Sequence, residues 1–228
     1  MATKLGMVTI GQAPRVDVVP EMAALLPSAE IIQRGALDGL SRAEIEPLAP
    51  AAGDEILVTR LADGNSVFIG KRRVTPLVQR RIEDVEADGA ALTVLLCTGA
   101  FDGLHARRPL VEPDKILVGM LRGIQFQGRL GVLAPSSRHV PQAQARWRSY
   151  GFDPVVLPLS PYDSGHSSGE PSLGAAADAL RSGNAGLVVL DCIGFTRRLR
   201  ADLAARVQVP ILVANLLVAR LVAELIGA

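Results

Sequence analysis

The chain contains two cysteines, Cys97 and Cys192, and each follows a short apolar run. The run "LTVLLCTGAF" spans residues 92–101, "LVVLDCIGFT" spans residues 187–196, and in both a glycine follows the cysteine within two residues. An apolar run of this length predicts a buried strand, and the glycine after it predicts a turn. A thiol at such a strand end lies near the positive end of the next helix, which favours the reactive thiolate.

Hydroxyl groups lie close to both thiols in the sequence. Thr98 directly follows Cys97, and Thr196 follows Cys192 by four residues. Together with the loop amides, these hydroxyls are suited to bind a carboxylate or a developing oxyanion. The alternative interpretation is that each cysteine is a small buried hydrophobic residue at a strand end. Because both cysteines of the chain occupy matching positions, the pattern favours the chemical interpretation.

The loop after the first predicted strand, "TIGQAPR" at residues 9–15, carries a second set of candidate groups. Gly11 permits a tight turn there, and Pro14 is typical of a helix start. Arg15 follows, and its planar guanidinium can hold a carboxylate through two parallel hydrogen bonds. The alternative is a solvated arginine on the surface.

The sequence lacks the usual signatures of metal, nucleotide and serine-hydrolase sites. The histidines are His105, His139 and His166, no two of them lie at ligand spacing, and there is no C-x-x-C motif. There is also no G-x-G-x-x-G after the first strand, no P-loop and no G-x-S-x-G. We therefore expect no metal and no cofactor. His139 follows "APSSR" and is a candidate for a loop that faces a phosphate or carboxylate.

The composition is typical of a soluble α/β protein. The chain of 228 residues is 49% hydrophobic and 21% charged, and its net charge of +1 gives no field that favours nucleic acid. No apolar stretch reaches the roughly 18 residues that span a bilayer, and the first residues do not resemble a signal peptide. We expect a cytoplasmic protein with no nucleic-acid or membrane partner, whose cysteines are thiols.

Short apolar runs alternate with helical patterns, which predicts an α/β fold with mostly parallel sheets. The predicted strands span residues 5–10, 31–33, 55–59, 93–97, 130–133, 155–157, 187–191 and 211–214. The predicted helices span residues 75–88, 141–150, 174–182, 197–206 and 215–227.

A weak internal repeat predicts two lobes. "KLGMVTIGQAP" at residues 4–14 and "GRLGVLAP" at residues 128–135 share a glycine, an apolar run and an Ala-Pro ending. We predict two pseudo-symmetric, doubly wound lobes. The first would comprise residues 1–122 and 208–228, and the second residues 123–207. The segment 160–174 is rich in Ser, Gly and Pro, which predicts a mobile loop that serves as a lid.

The motifs together resemble a known family. "MVTIGQAPRVDVVPEM" at residues 7–22, "RGALDGL" at 34–40, "RLADGNSV" at 60–67 and the two cysteine runs are similar to the AroM family over nearly the whole chain. That family resembles the aspartate/glutamate/hydantoin racemase superfamily. Many of those enzymes have two α/β lobes, one cysteine in each lobe, and a site between the lobes that needs neither metal nor pyridoxal phosphate.

The resemblance implies catalytic roles for Cys97 and Cys192 and binding roles for residues around them. The substrate-binding candidates are Gly11, Gln12, Arg15, Thr98, Gly99, Ile193, Gly194 and Thr196. The chain departs from amino-acid racemases, because its first loop reads "GQAPR" without an acidic residue and Cys97 is followed by Thr-Gly instead of Asn-Thr. Since no acidic partner for an α-ammonium group is evident, Arg15 suggests a hydroxy acid or a dicarboxylate as the substrate.

Three functions remain open from the sequence. The first is a cofactor-independent racemase or isomerase, in which one thiolate removes the proton α to a carboxylate and the other thiol returns a proton to the opposite face. A decarboxylase or a cis-trans isomerase on the same frame is a variant of it. The second is a protein that binds a small carboxylate without turnover, and the third is a redox pair. We also expect a possible homodimer.

Overall fold

The computed structural model describes residues 2–162 and 171–227 as alternating strands and helices. The strands are β1 (Thr3–Thr9), β2 (Ala29–Gly35), β3 (Ile56–Arg60), β4 (Ser66–Gly70), β5 (Leu92–Leu96), β6 (Leu110–Val111), β7 (Arg129–Ala134), β8 (Pro154–Pro158), β9 (Ala185–Leu190) and β10 (Ile211–Val213). The helices are α1 (Val19–Ala23), α2 (Arg42–Ile45), α3 (Lys71–Ala87), α4 (Pro113–Arg122), α5 (Val140–Ser149), α6 (Leu173–Ser182), α7 (Arg197–Val207) and α8 (Ala214–Ile226). His166 and most of the predicted loop 160–174 lie outside the described residues.

The chain divides into two compact units. One comprises Met1–Ile116 and Val218–Ala228, and the other comprises Leu117–Leu217. The first contains a four-stranded sheet in the order β2-β1-β5-β6, and the second a four-stranded sheet in the order β8-β7-β9-β10. All the strand pairs in these two sheets are parallel. The predicted α/β class with mostly parallel sheets is therefore confirmed.

The strand order is the same in both units when β1 is matched to β7. The second strand then lies on one side of the first, and the later strands lie on its other side, so β5 matches β9 and β6 matches β10. The weak sequence repeat therefore corresponds to a repeated strand order. This order also places the two cysteines after matching strands.

The unit boundaries differ from the predicted ones. The sequence suggests that the chain changes lobe near residues 122 and 208, whereas the structure has the changes at Ile116/Leu117 and Leu217/Val218. Strand β10 pairs with β9 in the second sheet, so it does not belong to the first lobe as predicted. Both crossings fall inside helices, α4 and α8, and glycine-rich loops are therefore the wrong signal for them.

One predicted strand has a different role from the one expected. Residues 55–59 were expected to join the parallel sheet, but β3 pairs antiparallel with β4, a strand that the sequence pattern missed. The turn between them closes with the Leu61 amide donating to the Asn65 carbonyl at 2.8 Å. "RLADGNSV" is therefore the turn of an antiparallel hairpin, as its Asp-Gly pair permits.

A glycine in the central strand of each sheet allows a helix to cross it closely. A Cβ atom on Gly6 of β1 would lie 2.7 Å from Val85 Cγ2 of α3, and one on Gly131 of β7 would lie 2.7 Å from Leu180 Cδ2 of α6. Contacts that short force side chains or backbone to move. These two glycines are the glycines shared by the sequence repeat, so the repeat marks helix-sheet packing.

No helix in the described part of the chain combines the length and the apolar character needed to cross a membrane.

We expect Gly6→Ala and Gly131→Ala each to lower the free energy of unfolding by about 1–3 kcal/mol, because the added methyl group overpacks the interface. Gly119→Ala is the matched control, since a Cβ atom there would meet no atom within 4 Å. Gly119 lies inside α4, so this change is expected to stabilise the protein by about 0.5–1 kcal/mol. Urea unfolding of the three variants measures the difference, and equal midpoints would contradict the packing argument.

Candidate functional site

The loops after β1, β2 and β5 share one edge of the first sheet, because the carboxyl ends of parallel strands lie together. Thr9 of β1 is paired with Leu96 of β5, so the first loop and the Cys97 loop begin side by side. The loop after β2 joins them, since the Leu37 amide donates to the Gly11 carbonyl at 3.0 Å. The sequence-predicted residues of the first lobe are therefore brought to the same edge.

Gly11 and Gln12 hold this edge together. A Cβ atom on Gly11 would lie 2.2 Å from Thr59 Oγ1, so only glycine permits the close approach of the hairpin. The Gln12 carboxamide donates to the carbonyls of Leu37 and Leu40, both at 3.2 Å, and accepts from the Ala62 amide at 2.9 Å. Gln12 therefore ties three loops to one another, a role that its position in the sequence does not reveal.

Arg15 is buried and already paired within the protein. Its side chain is 2% exposed, its Nε and Nη2 each lie 2.9 Å from the Asp17 carboxylate, and its Nη1 lies 3.0 Å from Thr9 Oγ1. The predicted grip on a substrate carboxylate does not fit this geometry, because Asp17 already occupies the guanidinium fork. The inference of a hydroxy acid or dicarboxylate loses its main support with it.

The Arg15–Asp17 pair also has an electrostatic signature. Burial acts to raise the pKa of Asp17, but the hydrogen bond and charge of Arg15, a backbone hydrogen bond and the charge of Arg60 together lower it from 3.8. A buried charge that is matched in this way stabilises the loop only while both partners remain ionised. Arg15 therefore orders the first loop.

Cys97 follows β5 and is 7% exposed, as part of an apolar cluster that includes Leu57 and Phe101. The Gly99 amide donates to its sulfur at 3.3 Å. A Cβ atom on Gly99 would lie 2.9 Å from Leu57 Cδ2, so glycine lets the chain turn back beneath the sulfur. An N–H directed at sulfur favours the thiolate over the thiol. Thr98, which lies between the two, is buried.

Lys71, which the sequence analysis missed, holds the far end of the Cys97 loop. Its Nζ donates to the Ala100 carbonyl at 2.9 Å and pairs with Glu55 at 2.5 Å. Lys71 is the first residue of α3, where a positive charge opposes the helix dipole. The sequence pattern gave no signal for this residue, because the predicted helix began at residue 75 and α3 begins at Lys71.

At the edge of the second sheet, Cys192 follows β9 and is 6% exposed. The hydroxyl of Tyr162 lies 3.8 Å from its sulfur. Asn215, the second residue of α8, donates to the carbonyls of Ile193 at 2.9 Å and Phe195 at 2.8 Å. Two hydrogen bonds from one buried amide therefore fix the course of the chain directly after the thiol.

The other predicted residues of this loop have local structural roles. The Thr196 hydroxyl accepts the Leu199 amide at 3.2 Å and caps α7, which is the usual function of a threonine at that position. Gly194 leaves room for an aromatic ring, because a Cβ atom there would lie 2.7–2.9 Å from three atoms of Tyr162. Sequence patterns did not single out Tyr162 or Asn215, which lie in a loop and at the start of a helix.

A buried polar cluster lies next to Cys192. The Asp191 carboxylate accepts a hydrogen bond from the indole of Trp147 at 2.8 Å and forms an ion pair with Arg146. Nearby, Ser136 Oγ and His139 Nδ1 are 2.8 Å apart, and both residues are buried. His139 therefore takes part in the framework beneath the thiol loop, and the anion-facing role predicted for it has no support in these contacts.

Burial lowers the pKa of His139 from 6.5 to about 4. The Asp191 carboxylate acts in the opposite direction, and the charges of Arg138 and Arg146 add to the effect of burial. At neutral pH the buried imidazole is consequently neutral and acts only as a hydrogen-bonding group.

Both cysteines are thiols in the structure. Among residues 2–162 and 171–227, no group of three or more His, Cys, Asp or Glu side chains is placed to hold a metal ion.

The His139 shift predicts an acid-sensitive fold. Between about pH 6.5 and pH 4 the unfolded chain binds a proton that the folded protein does not, so stability falls as the pH falls through this window. We expect a loss of about 3 kcal/mol across it, measured by urea unfolding. His139→Gln should remove most of this pH dependence, whereas the exposed control His105→Gln should keep it. Equal pH dependence in the two variants would contradict the assignment.

Removing the Asn215 amide should loosen the Cys192 loop. Asn215→Ala leaves two buried carbonyls without this donor, at an expected cost of about 2–4 kcal/mol of unfolding free energy. Hydrogen exchange at residues 193–196 should become faster. Asn65→Ala, in the exposed hairpin turn, is the matched control and should change stability by less than about 0.5 kcal/mol. Similar effects of the two changes would exclude a special role for Asn215.

Solved structures with this fold include racemases and a decarboxylase. The allantoin racemase from Klebsiella pneumoniae has 15% sequence identity and a TM-score of 0.59, covering 99% of this chain and 88% of that chain. The glutamate racemase from Francisella tularensis, solved with D-glutamate, has 13% identity and a TM-score of 0.62, covering 99% and 81%. Unliganded arylmalonate decarboxylase has 15% identity and a TM-score of 0.62, covering 100% and 94%.

At these identities the shared structure demonstrates the fold alone. No sequence among curated proteins matches the chain significantly. The model of the family described as AroM protein matches residues 5–226, which is almost the whole sequence and confirms the predicted resemblance. The chain belongs to the AroM family.

Proposed function

We propose that the protein is a cofactor-independent isomerase of the racemase type that acts on a small carboxylate. In this proposal Cys97 and Cys192 transfer protons at the carbon α to the carboxylate. The fold and family support this reaction class, and the residues around each sulfur support the roles of the thiols.

One observation carries the proposal. The two thiols follow β5 and β9, which occupy matching places in two sheets of the same strand order. Each sulfur also has a hydrogen-bonding group directed at it, the Gly99 amide at 3.3 Å from Cys97 and the Tyr162 hydroxyl at 3.8 Å from Cys192. A cysteine that only filled space at a strand end would need no such partner.

The reaction balances without a cofactor. One sulfur, as thiolate, takes the proton from the α-carbon and becomes a thiol, which leaves an enediolate. The other sulfur, as thiol, gives its proton to the opposite face of that carbon and becomes a thiolate. General acid and base groups of this kind each contribute about 10²–10⁴-fold to the rate.

The enediolate needs donors for its negative charge. We assign this role to the backbone amides of Thr98, Ile193 and Gly194, which directly follow or nearly follow the two thiols. The Gly99 amide is excluded from it because it donates to the Cys97 sulfur. A correctly placed donor to such an oxyanion contributes about 3–4 kcal/mol.

The substrate class rests on the reaction and not on one binding side chain. Arg15 was the residue that pointed to an extra carboxylate or hydroxyl, and it is paired with Asp17. The names glutamate racemase and arylmalonate decarboxylase denote enzymes that act on carboxylates. A carboxylate at the reacting carbon is also what makes an enediolate available as the intermediate.

A second candidate is a protein that binds a small carboxylate without turnover. The observation that favours it is burial, since Cys97 is 7% exposed within an apolar cluster and Cys192 is 6% exposed. Apolar surroundings disfavour a thiolate. The isomerase proposal therefore depends on the hydrogen bonds to sulfur outweighing the desolvation of its charge.

Deuterium exchange separates these two functions. Hydroxy acids, amino acids and dicarboxylates are incubated with the protein in D₂O, and deuterium at the α-carbon is followed by proton NMR. The wild type should exchange at least one of them, and Cys97→Ser and Cys192→Ser should each lose about 100-fold or more, because serine is a much weaker acid and base.

His105→Gln removes an exposed imidazole and is the control for adventitious base catalysis, so its exchange rate should match that of the wild type. Exchange that persists in both serine variants would refute the two-thiol mechanism. Protection of the thiols from alkylation by a carboxylate, with no exchange of that carboxylate, would instead establish the binding function.

A further inference from the structure

Tyr162 lies against the sulfur of Cys192. It follows β8, where its amide donates to Ser160 Oγ at 3.2 Å, and its hydroxyl oxygen lies 3.8 Å from the Cys192 sulfur. Its ring covers Gly194, where a Cβ atom would come within 2.9 Å of ring atoms Cε1 and Cζ and of the hydroxyl oxygen. The ring position therefore depends on a glycine two residues after the thiol.

We propose that Tyr162 is a positioning residue for Cys192, and that its phenol donates a hydrogen bond that stabilises and orients the Cys192 thiolate. This inference rests on the proposed proton-transfer function and adds to it the group that makes the second thiol ionisable. No motif in the sequence pointed to this residue.

The chemistry of the pair makes the contact directional. In the neutral pair either group can donate to the other, because a thiol and a phenol each carry one proton on the heteroatom. Once the sulfur is ionised it can only accept, so the phenol must donate. A hydrogen bond to a charged acceptor is about twice as strong as one between neutral groups. Ionisation of Cys192 therefore strengthens its contact with Tyr162.

Charged groups at this edge interact with one another in the buried cluster. Asp191 precedes the thiol and carries a negative charge, which Arg146 and Trp147 hold in the buried cluster. His139, also in that cluster, is neutral at neutral pH because burial lowers its pKa to about 4. Arg146 pairs with the Asp191 carboxylate, whereas the phenol of Tyr162 lies 3.8 Å from the sulfur.

The two thiols thus differ in how they are supported. The Cys97 sulfur accepts from a backbone amide, which no side-chain substitution removes, whereas the Cys192 sulfur contacts a side chain that can be changed by one atom. Tyr162→Phe deletes the hydroxyl and keeps the ring over Gly194. The chain also offers a matched control, because Tyr150 is its other tyrosine and packs edge-on against Trp147 at 5.8 Å.

The test follows the pH dependence of alkylation of a single thiol. In a Cys97→Ser background, the rate of Cys192 modification by iodoacetamide is measured by mass spectrometry across the titration range of a thiol. We expect Tyr162→Phe to move the midpoint upward by about one pH unit, with about a tenfold slower reaction below the midpoint. Tyr150→Phe should leave the midpoint where it was.

Further measurements distinguish stabilisation of the Cys192 thiolate from a change in the exposure of its sulfur. The rate on the high-pH plateau reports access to the sulfur, so the midpoint isolates the stability of the thiolate. Gly194→Ala keeps the hydroxyl but displaces the ring, and it should reproduce the upward shift. In a Cys192→Ser background, the midpoint for Cys97 should not respond to Tyr162→Phe.

An unchanged Cys192 midpoint in Tyr162→Phe would overturn the inference, and so would equal shifts at both thiols. Its failure is separable from failure of the proposed function, because alkylation needs no substrate. If the wild type exchanges deuterium into no carboxylate but the midpoint shift is observed, the isomerase proposal is refuted. The role of Tyr162 is then still supported.

Discussion

Parallel strand pairing is the constraint on which the candidate site depends. A parallel sheet directs the carboxyl ends of its strands to a single edge, so loops that are far apart in sequence begin next to each other. In the first sheet this places the Cys97 loop beside the loop of Gly11 and Gln12. In the second sheet the Leu190–Val213 pairing places Asn215 beside the loop of Cys192. Without parallel strand pairing, the loops of Cys97 and Cys192 would not lie beside these segments.

Buried charged side chains near these loops form ion pairs within the protein. Arg15 is neutralised by Asp17, and Asp191 by Arg146. Burying a charge next to an oppositely charged partner costs less free energy than burying it without one. Groups that resemble ligand-binding side chains in the sequence consequently hold the loops in place.

The sequence predicted the fold class and the position of each thiol at the end of a strand, because both follow from local patterns. Apolar runs that end at Cys97 and Cys192 mark buried strands, and the shared Gly6 and Gly131 mark matching central strands. The pairing of β3 with β4 was not predicted, since a short apolar run looks alike in a parallel sheet and in an antiparallel hairpin. The unit boundaries were also missed because they lie inside continuous helices.

The site residues that the sequence missed are those whose roles depend on distant contacts. Tyr162 is separated from Cys192 by 30 positions, and Asn215 from Ile193 by 22. No periodicity connects residues across such distances, so only the folded chain brings them together. The role of Arg15 failed for the same reason: a guanidinium two residues before a carboxylate fits either an internal ion pair or a ligand site until burial decides.

The unequal partners of the two sulfurs carry a kinetic consequence. If substrate and product are enantiomers, they have the same free energy in water, so kcat/KM must be identical in the two directions at equilibrium. In the proposed mechanism, the Gly99 amide and the Tyr162 phenol give each thiol its own proton affinity. That difference can alter kcat and KM separately for each mirror image, while their ratio is held equal by thermodynamics.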